Sequence, residues 1–192
     1  MLVAGPAVHA GTRSATIIEF HNVNLDHYFL TANWQEAKAI DAGLAGPAWV
    51  RTGYTFFAWT EFFGFTAEAL GEFPPRGFKR VSRFHAPGAN SHFYTADPGE
   101  IESLQRPGTG WNSEGDAFLL NVPESTGQCA SFLRPMHRLY NNRGMFNDGN
   151  HRFVLDESER QIMVATGWID EGIAFCAPWH WFYWAPPPPG GT

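Results

Sequence analysis

Three histidines, His27, His92 and His151, each head a short aromatic run, "HYFL", "HFYT" and "HRFV". Three imidazoles can make a zinc site. Counting back from the acidic residues that follow, however, sets Tyr28, not His27, level with His92 and His151. A one-residue shift in a strand sends a side chain to the other face, so we read these as structural or hydrogen-bonding histidines. No metal and no cofactor are expected.

Two carboxylates invite a second chemistry. Glu114 and Glu171 each stand directly before a glycine, in "WNSEG" and "WIDEG", and glycoside hydrolysis needs an acid and a base across a sugar bond. Their recurrence in two similar stretches favours contact with a nearby backbone group or turn over two different proton transfers. Ser91 adjoins His92, but neighbours in a strand point to opposite faces and cannot form a nucleophile–base pair. The chain has neither a G-x-S-x-G elbow nor a Gly-rich phosphate loop. Cys129 and Cys176 lack C-x-x-C spacing and read as a disulfide. In an oxidising compartment such a bridge contributes on the order of 4 kcal/mol by restricting the unfolded chain.

What remains is an aromatic surplus, eight Trp and seventeen Phe, whose flat faces suit sugar rings. Trp49, Trp111 and Trp168 each stand four places before a glycine, Gly53, Gly115 and Gly172, and are expected as core wedges. Trp179, Trp181, Tyr183 and Trp184, together with His92 and His151, are the candidate binding residues.

The elements that must hold these residues recur three times along the chain. Each set opens with a strand at Glu19-Phe20-His21, Arg83-Phe84-His85 or Arg138-Leu139-Tyr140. It turns through Asn, Gly, Pro and Asp and returns along one of the histidine runs. A capped helix follows, from Asn33 with Glu36, Asp97 with Glu100, or Asp156 with Glu159, the spacing of a capping box. Pro98 sits at N1, where its missing N–H costs nothing. A last strand closes each set, as in "YTFFAW", "DAFLL" and "IAFCA". This predicts an α+β fold of three ββαβ pseudo-repeats, at about 17–59, 81–120 and 136–177, around an approximate threefold axis. Its strands are antiparallel and its capped helices short; a β-trefoil-like arrangement is the alternative.

Lys and Arg number 13 against 19 Asp and Glu, with no basic cluster, which argues against a nucleic-acid partner. No run approaches the ~20 apolar residues of a membrane span. Residues 1–14 read either as a secretory-signal remnant, with Val8-His9-Ala10 as a cleavage pattern, or as a disordered tail. Residues 15–184 read as one domain, with 60–81 an ordered excursion and 185–192 a Pro/Gly-rich tail.

"SHFYTADPGEIESL", "GTGWNSEGDAFLL" and "TGWIDEGIAFCAPW" resemble the HFYT-type repeats of a secreted bacterial domain of unknown function. The likeness covers about residues 17–179. It departs from the pattern at Thr52, where the other two sets carry Glu114 and Glu171, and at Phe153-Val154 in place of Tyr-Thr. That family has no established activity, but its occurrence beside extracellular modules implies export. The expectation is a secreted, non-catalytic domain that binds an extracellular glycan or protein surface. The alternatives are a hydrolase of cell-surface polymers using Glu114 or Glu171 with a histidine, favoured by a raised carboxyl pKa in a cleft, and a structural subunit of an extracellular assembly. Oligomeric state is left open.

Overall fold

The aromatic runs form the return strands of hairpins, because each buries three successive residues, Phe29 to Thr31, Phe93 to Thr95 and Arg152 to Val154, while Asn- and Gly-rich turns let the chain reverse. The computed structural model describes residues 11–62 and 77–179; most of the expected excursion at 60–81, Trp181, Tyr183, Trp184 and the Pro/Gly tail lie outside them. In the first segment β1 (Gly11–Asn22) pairs with β2 (His27–Thr31), followed by α1 (Trp34–Asp41) and β3 (Trp49–Phe62). In the second come β4 (Phe78–Ala86), β5 (Ser91–Thr95), α2 (Pro98–Leu104) and β6 (Asn112–Asn121). In the third come β7 (Leu133–Tyr140), a single 3₁₀ turn at Gly144–Phe146, β8 (His151–Val154), α3 (Glu157–Ala165) and β9 (Ile169–Pro178). β1 starts at Gly11, so residues 11–14, expected in the tail, pair with β3 instead.

All strand pairs are antiparallel. The first strand of each segment lies between the other two, while segments join through single pairs, Trp59 with Leu119 and Asn121 with Cys176. Among the described residues the result is an antiparallel sheet with three short α-helices.

Between the segments lies a core of Ile17, Leu30, Phe56, Val81, Tyr94, Phe118, Met136, Phe153 and Phe175. Burying each such side chain contributes about 1.5–3 kcal/mol. Tyr94 is buried at no polar cost, because its hydroxyl donates to the carbonyl of Leu30 (2.7 Å) and accepts from the amide of the same residue (3.0 Å).

The helix caps take their expected place in part. Asn33, Asp97 and Asp156 each accept from the N3 amide, at 3.3, 2.8 and 2.9 Å. The reciprocal half is different: the amides of Asn33 and Asp97 donate to Thr31 and Thr95 hydroxyls, at 2.8 and 2.9 Å. The carboxylates of Glu36, Glu100 and Glu159 are engaged by arginines instead.

Cys129 and Cys176 form a disulfide with Cα atoms 5.6 Å apart. It pins the loop before β7 to the buried end of β9.

Candidate functional site

A glycine with positive φ begins the construction of the site. Gly53, Gly115 and Gly172 have φ of 83°, 83° and 90°, and at each the pairing register shifts, opposite Glu19, Arg83 and Arg138. These are β-bulges, which an extra residue and a left-handed glycine make possible. At Gly115 the bulge aims Glu114 at Arg83, with 2.7 Å between Oε2 and Nε. At Gly172 it aims Glu171 at Arg138, again at 2.7 Å.

The same arginines reach into the preceding segment. Arg83 donates to both oxygens of Glu36, at 2.9 and 3.0 Å, and lies over the ring of Phe29. Arg138 donates to both oxygens of Glu100, at 3.0 and 2.8 Å, and lies over Phe93. Planar bidentate pairing suits the guanidinium, and stacking on an aromatic face adds to it. Glu36 and Glu100 thus close joints between segments while their amides close helix caps.

The remaining joint runs with its charges reversed. Glu19 stands where the others have Arg83 and Arg138, and Arg152 stands where they have Phe29 and Phe93. Arg152 donates to both oxygens of Glu19, at 3.1 and 3.0 Å, and also pairs with Glu159. Both residues are buried, Glu19 to 1% and Arg152 to 7% exposure. Burial lifts the Glu19 carboxyl above its ordinary value, although Arg152 draws it down. Thr52 now has a reason: a glutamate there would face Glu19 across the bulge.

Histidine placement follows from the same register. His92 lies opposite His85 and His151 opposite Tyr140, as Tyr28 lies opposite His21, with each pair of rings stacked at 4.5–4.9 Å. Phe29 meets His92 edge-on at 4.7 Å, and Phe93 meets His151 at the same distance. His92 is 3.4 Å from Glu114, and His151 is 3.3 Å from Glu171. Burial pushes the His92 ring down to about 3, helped by His85, Arg83 and His27. His27 is elsewhere: fully buried where the hairpin turns meet, its ring faces the carbonyls of Asn90 and Asp148. Beside it Asn150 donates to Ser91, so a polar plug and not a metal trio occupies this point.

Two cavities border the joints. One, about 240 Å³, opens between α1 and the turn before β5 and is walled by Phe29, Ile40, Leu44, Trp49, Asn90 and His92. The other, about 540 Å³, has Lys79, Asp97, Glu100, Arg138, Glu171 and Phe175 in its walls. Burial raises the Glu171 carboxyl, but His151 and Arg138 outweigh it, leaving it below its ordinary value. A glycosidase acid needs the opposite shift.

Comparison with known families matches residues 18–178 to a domain of unknown function, DUF5648. The chain belongs to this family. No curated protein and no solved structure matches it. Within this DUF5648 domain His92 lines the smaller cavity, whereas His151 packs between Tyr140, Phe93 and Glu171. Trp179 is half-exposed at the end of β9, with Arg134 over its ring. Trp49 and Trp111 lie half-buried against Phe29 and Phe93, and Trp168 against Tyr28.

Sequence reasoning missed Arg83, Arg138, Arg152 and His85. An arginine within the first strand and a glutamate before the bulge glycine occur together in two segments, Arg83 with Glu114 and Arg138 with Glu171, while the first has Glu19 with Thr52. That covariation was the available signal.

Proposed function

We propose that this chain is a secreted, non-catalytic domain of three ββαβ repeats about an approximate threefold axis, and that it binds an extracellular glycan or protein surface. Triads such as Ile17, Val81 and Met136, or Phe56, Phe118 and Phe175, each drawing one residue from every segment, support the repeat reading. The disulfide supports an oxidising compartment. Absence of any helix long and apolar enough to cross a membrane, among the described residues, fits a domain that acts outside a bilayer.

The observation that carries the binding reading is the 240 Å³ cavity, with Phe29 and Trp49 as aromatic wall and Asn90 and His92 as polar edge. It is smaller than the ~300–1,000 Å³ of sites for drug-sized ligands, so it takes a single ring of a longer polymer. Apolar walls with a few polar groups at the edge are the chemistry that receives a sugar ring. Against the hydrolase alternative stands the engagement of both Glu114 and Glu171 by arginine.

The test is a panel of bacterial and plant polysaccharides titrated against the oxidised protein, with Trp49→Ala and Trp179→Ala variants checked for folding by circular dichroism. Loss of binding in folded Trp49→Ala supports the cavity, and loss in Trp179→Ala moves the platform to the end of β9. Release of reducing ends, abolished by Glu171→Gln, would establish the hydrolase instead. No binding to any glycan leaves protein partners, for which sedimentation at rising concentration tests self-assembly first.

A further inference from the structure

A cluster of three potential metal ligands lies at the edge of the smaller cavity and shares His92 with it. His85 and His92 are direct cross-strand partners in the β4–β5 hairpin, with rings stacked at 4.6 Å and inclined by 18°. The bulge at Gly115 brings Glu114 to the same place. One ligand atom from each of the three lies within 4.8 Å of the others, and among the described residues no other trio of His, Cys, Asp or Glu comes together this way.

We propose that His85, His92 and Glu114 form a binding site for a borderline divalent cation of the zinc class, with at least one coordination position left to solvent. Two imidazoles and a carboxylate are a donor set that suits zinc, nickel or copper, whereas calcium and magnesium prefer oxygen alone. Metal–ligand bonds of about 2.0–2.2 Å set tetrahedral donor atoms about 3.3 Å apart. His92 Nε2 and Glu114 Oε2 already stand at 3.4 Å. His85 is partly exposed and closes the remaining distance by side-chain rotation.

Local charge permits a cation. Arg83 contacts Glu114, but both oxygens of Glu36 also hold that guanidinium, so Glu36, Arg83 and Glu114 together carry one net negative charge.

The third segment is an internal control. There Tyr140 takes the place of His85, beside His151 and Glu171, and stacks on its histidine at 4.9 Å. A stack alone therefore does not require a second histidine. The site shares His92 with the smaller cavity, but Trp49 is not a ligand, so Trp49→Ala separates a failure of the glycan reading from a failure of this one.

Calorimetric titration of tag-free, chelator-stripped protein with zinc chloride tests it. One equivalent should bind, and His85→Tyr and Glu114→Gln should each weaken binding by roughly tenfold or more, since even outer-shell losses cost that much. His85→Tyr copies the residue found in the third segment, so its fold should persist; circular dichroism checks this. Tyr140→His should add a second equivalent by completing the matching trio. If His85→Tyr does not fold, the cobalt(II) absorption spectrum of the wild type and of Glu114→Gln decides, tetrahedral bands in the first and their loss in the second being expected. Zinc binding that is absent in the wild type, or undiminished in folded His85→Tyr, overturns the proposal.

Discussion

Arg152 on β8 grips both oxygens of Glu19 on β1, joining the third segment to the first in a contact hidden from solvent. Desolvation offsets much of the attraction in a pair this dry, but removing one partner strands the other. Arg152→Met should therefore cost about 3–5 kcal/mol. The triple variant Glu19→Arg, Thr52→Glu, Arg152→Phe rebuilds the arginine-on-phenylalanine joint found at Arg83 and Arg138, and should recover most of that loss. Urea denaturation of the two proteins checks both; a triple variant no more stable than Arg152→Met would show that the joints are not equivalent.

Gly115 has open space where a Cβ would go, so any cost of substitution comes from its φ of +83°. Gly115→Ala should destabilise by about 1–2 kcal/mol and Gly115→Asn by less, because asparagine tolerates the left-handed region. Equal melting temperatures for the two variants would contradict this account of the bulge.

Acid should weaken the joint at Arg138. The Glu171 carboxyl lies below its ordinary value of 4.5 in the folded chain. A depressed carboxyl contributes stability above the unfolded value and loses it as pH falls through the folded one. Below about pH 4.5 stability should therefore drop, by under about 1 kcal/mol for this partly exposed group. Glu171→Gln should flatten that limb of the stability–pH curve; an unchanged limb assigns the acid sensitivity to other carboxylates, such as Asp170, which is also held low.

Reduction of Cys129–Cys176, which are 47 positions apart, frees a long loop in the unfolded chain. The expected loss is about 4 kcal/mol. Chemical denaturation with and without reductant measures it, and a Cys129→Ser, Cys176→Ser variant should match the reduced protein and ignore reductant.

The local pieces of this fold are legible in the residues alone. Asp97, Pro98 and Glu100 announce a helix start and Asn- and Gly-rich turns announce hairpins, whereas the Trp-x-x-x-Gly spacing suggests core wedges and not the register shifts found at Gly53, Gly115 and Gly172. Each of these rests on forces acting over a few residues, such as an amide without a partner or a φ angle that few side chains allow. Tertiary structure decided who meets whom. That Glu36 is bound by Arg83, that Glu114 is engaged and not free, that His85 faces His92, and that Glu19 needs Arg152 all depend on the pairing of strands and on how one segment seats against the next. Charges separated by up to 133 positions leave no local periodicity to read. Their attraction becomes strong only once folding has removed the water between them.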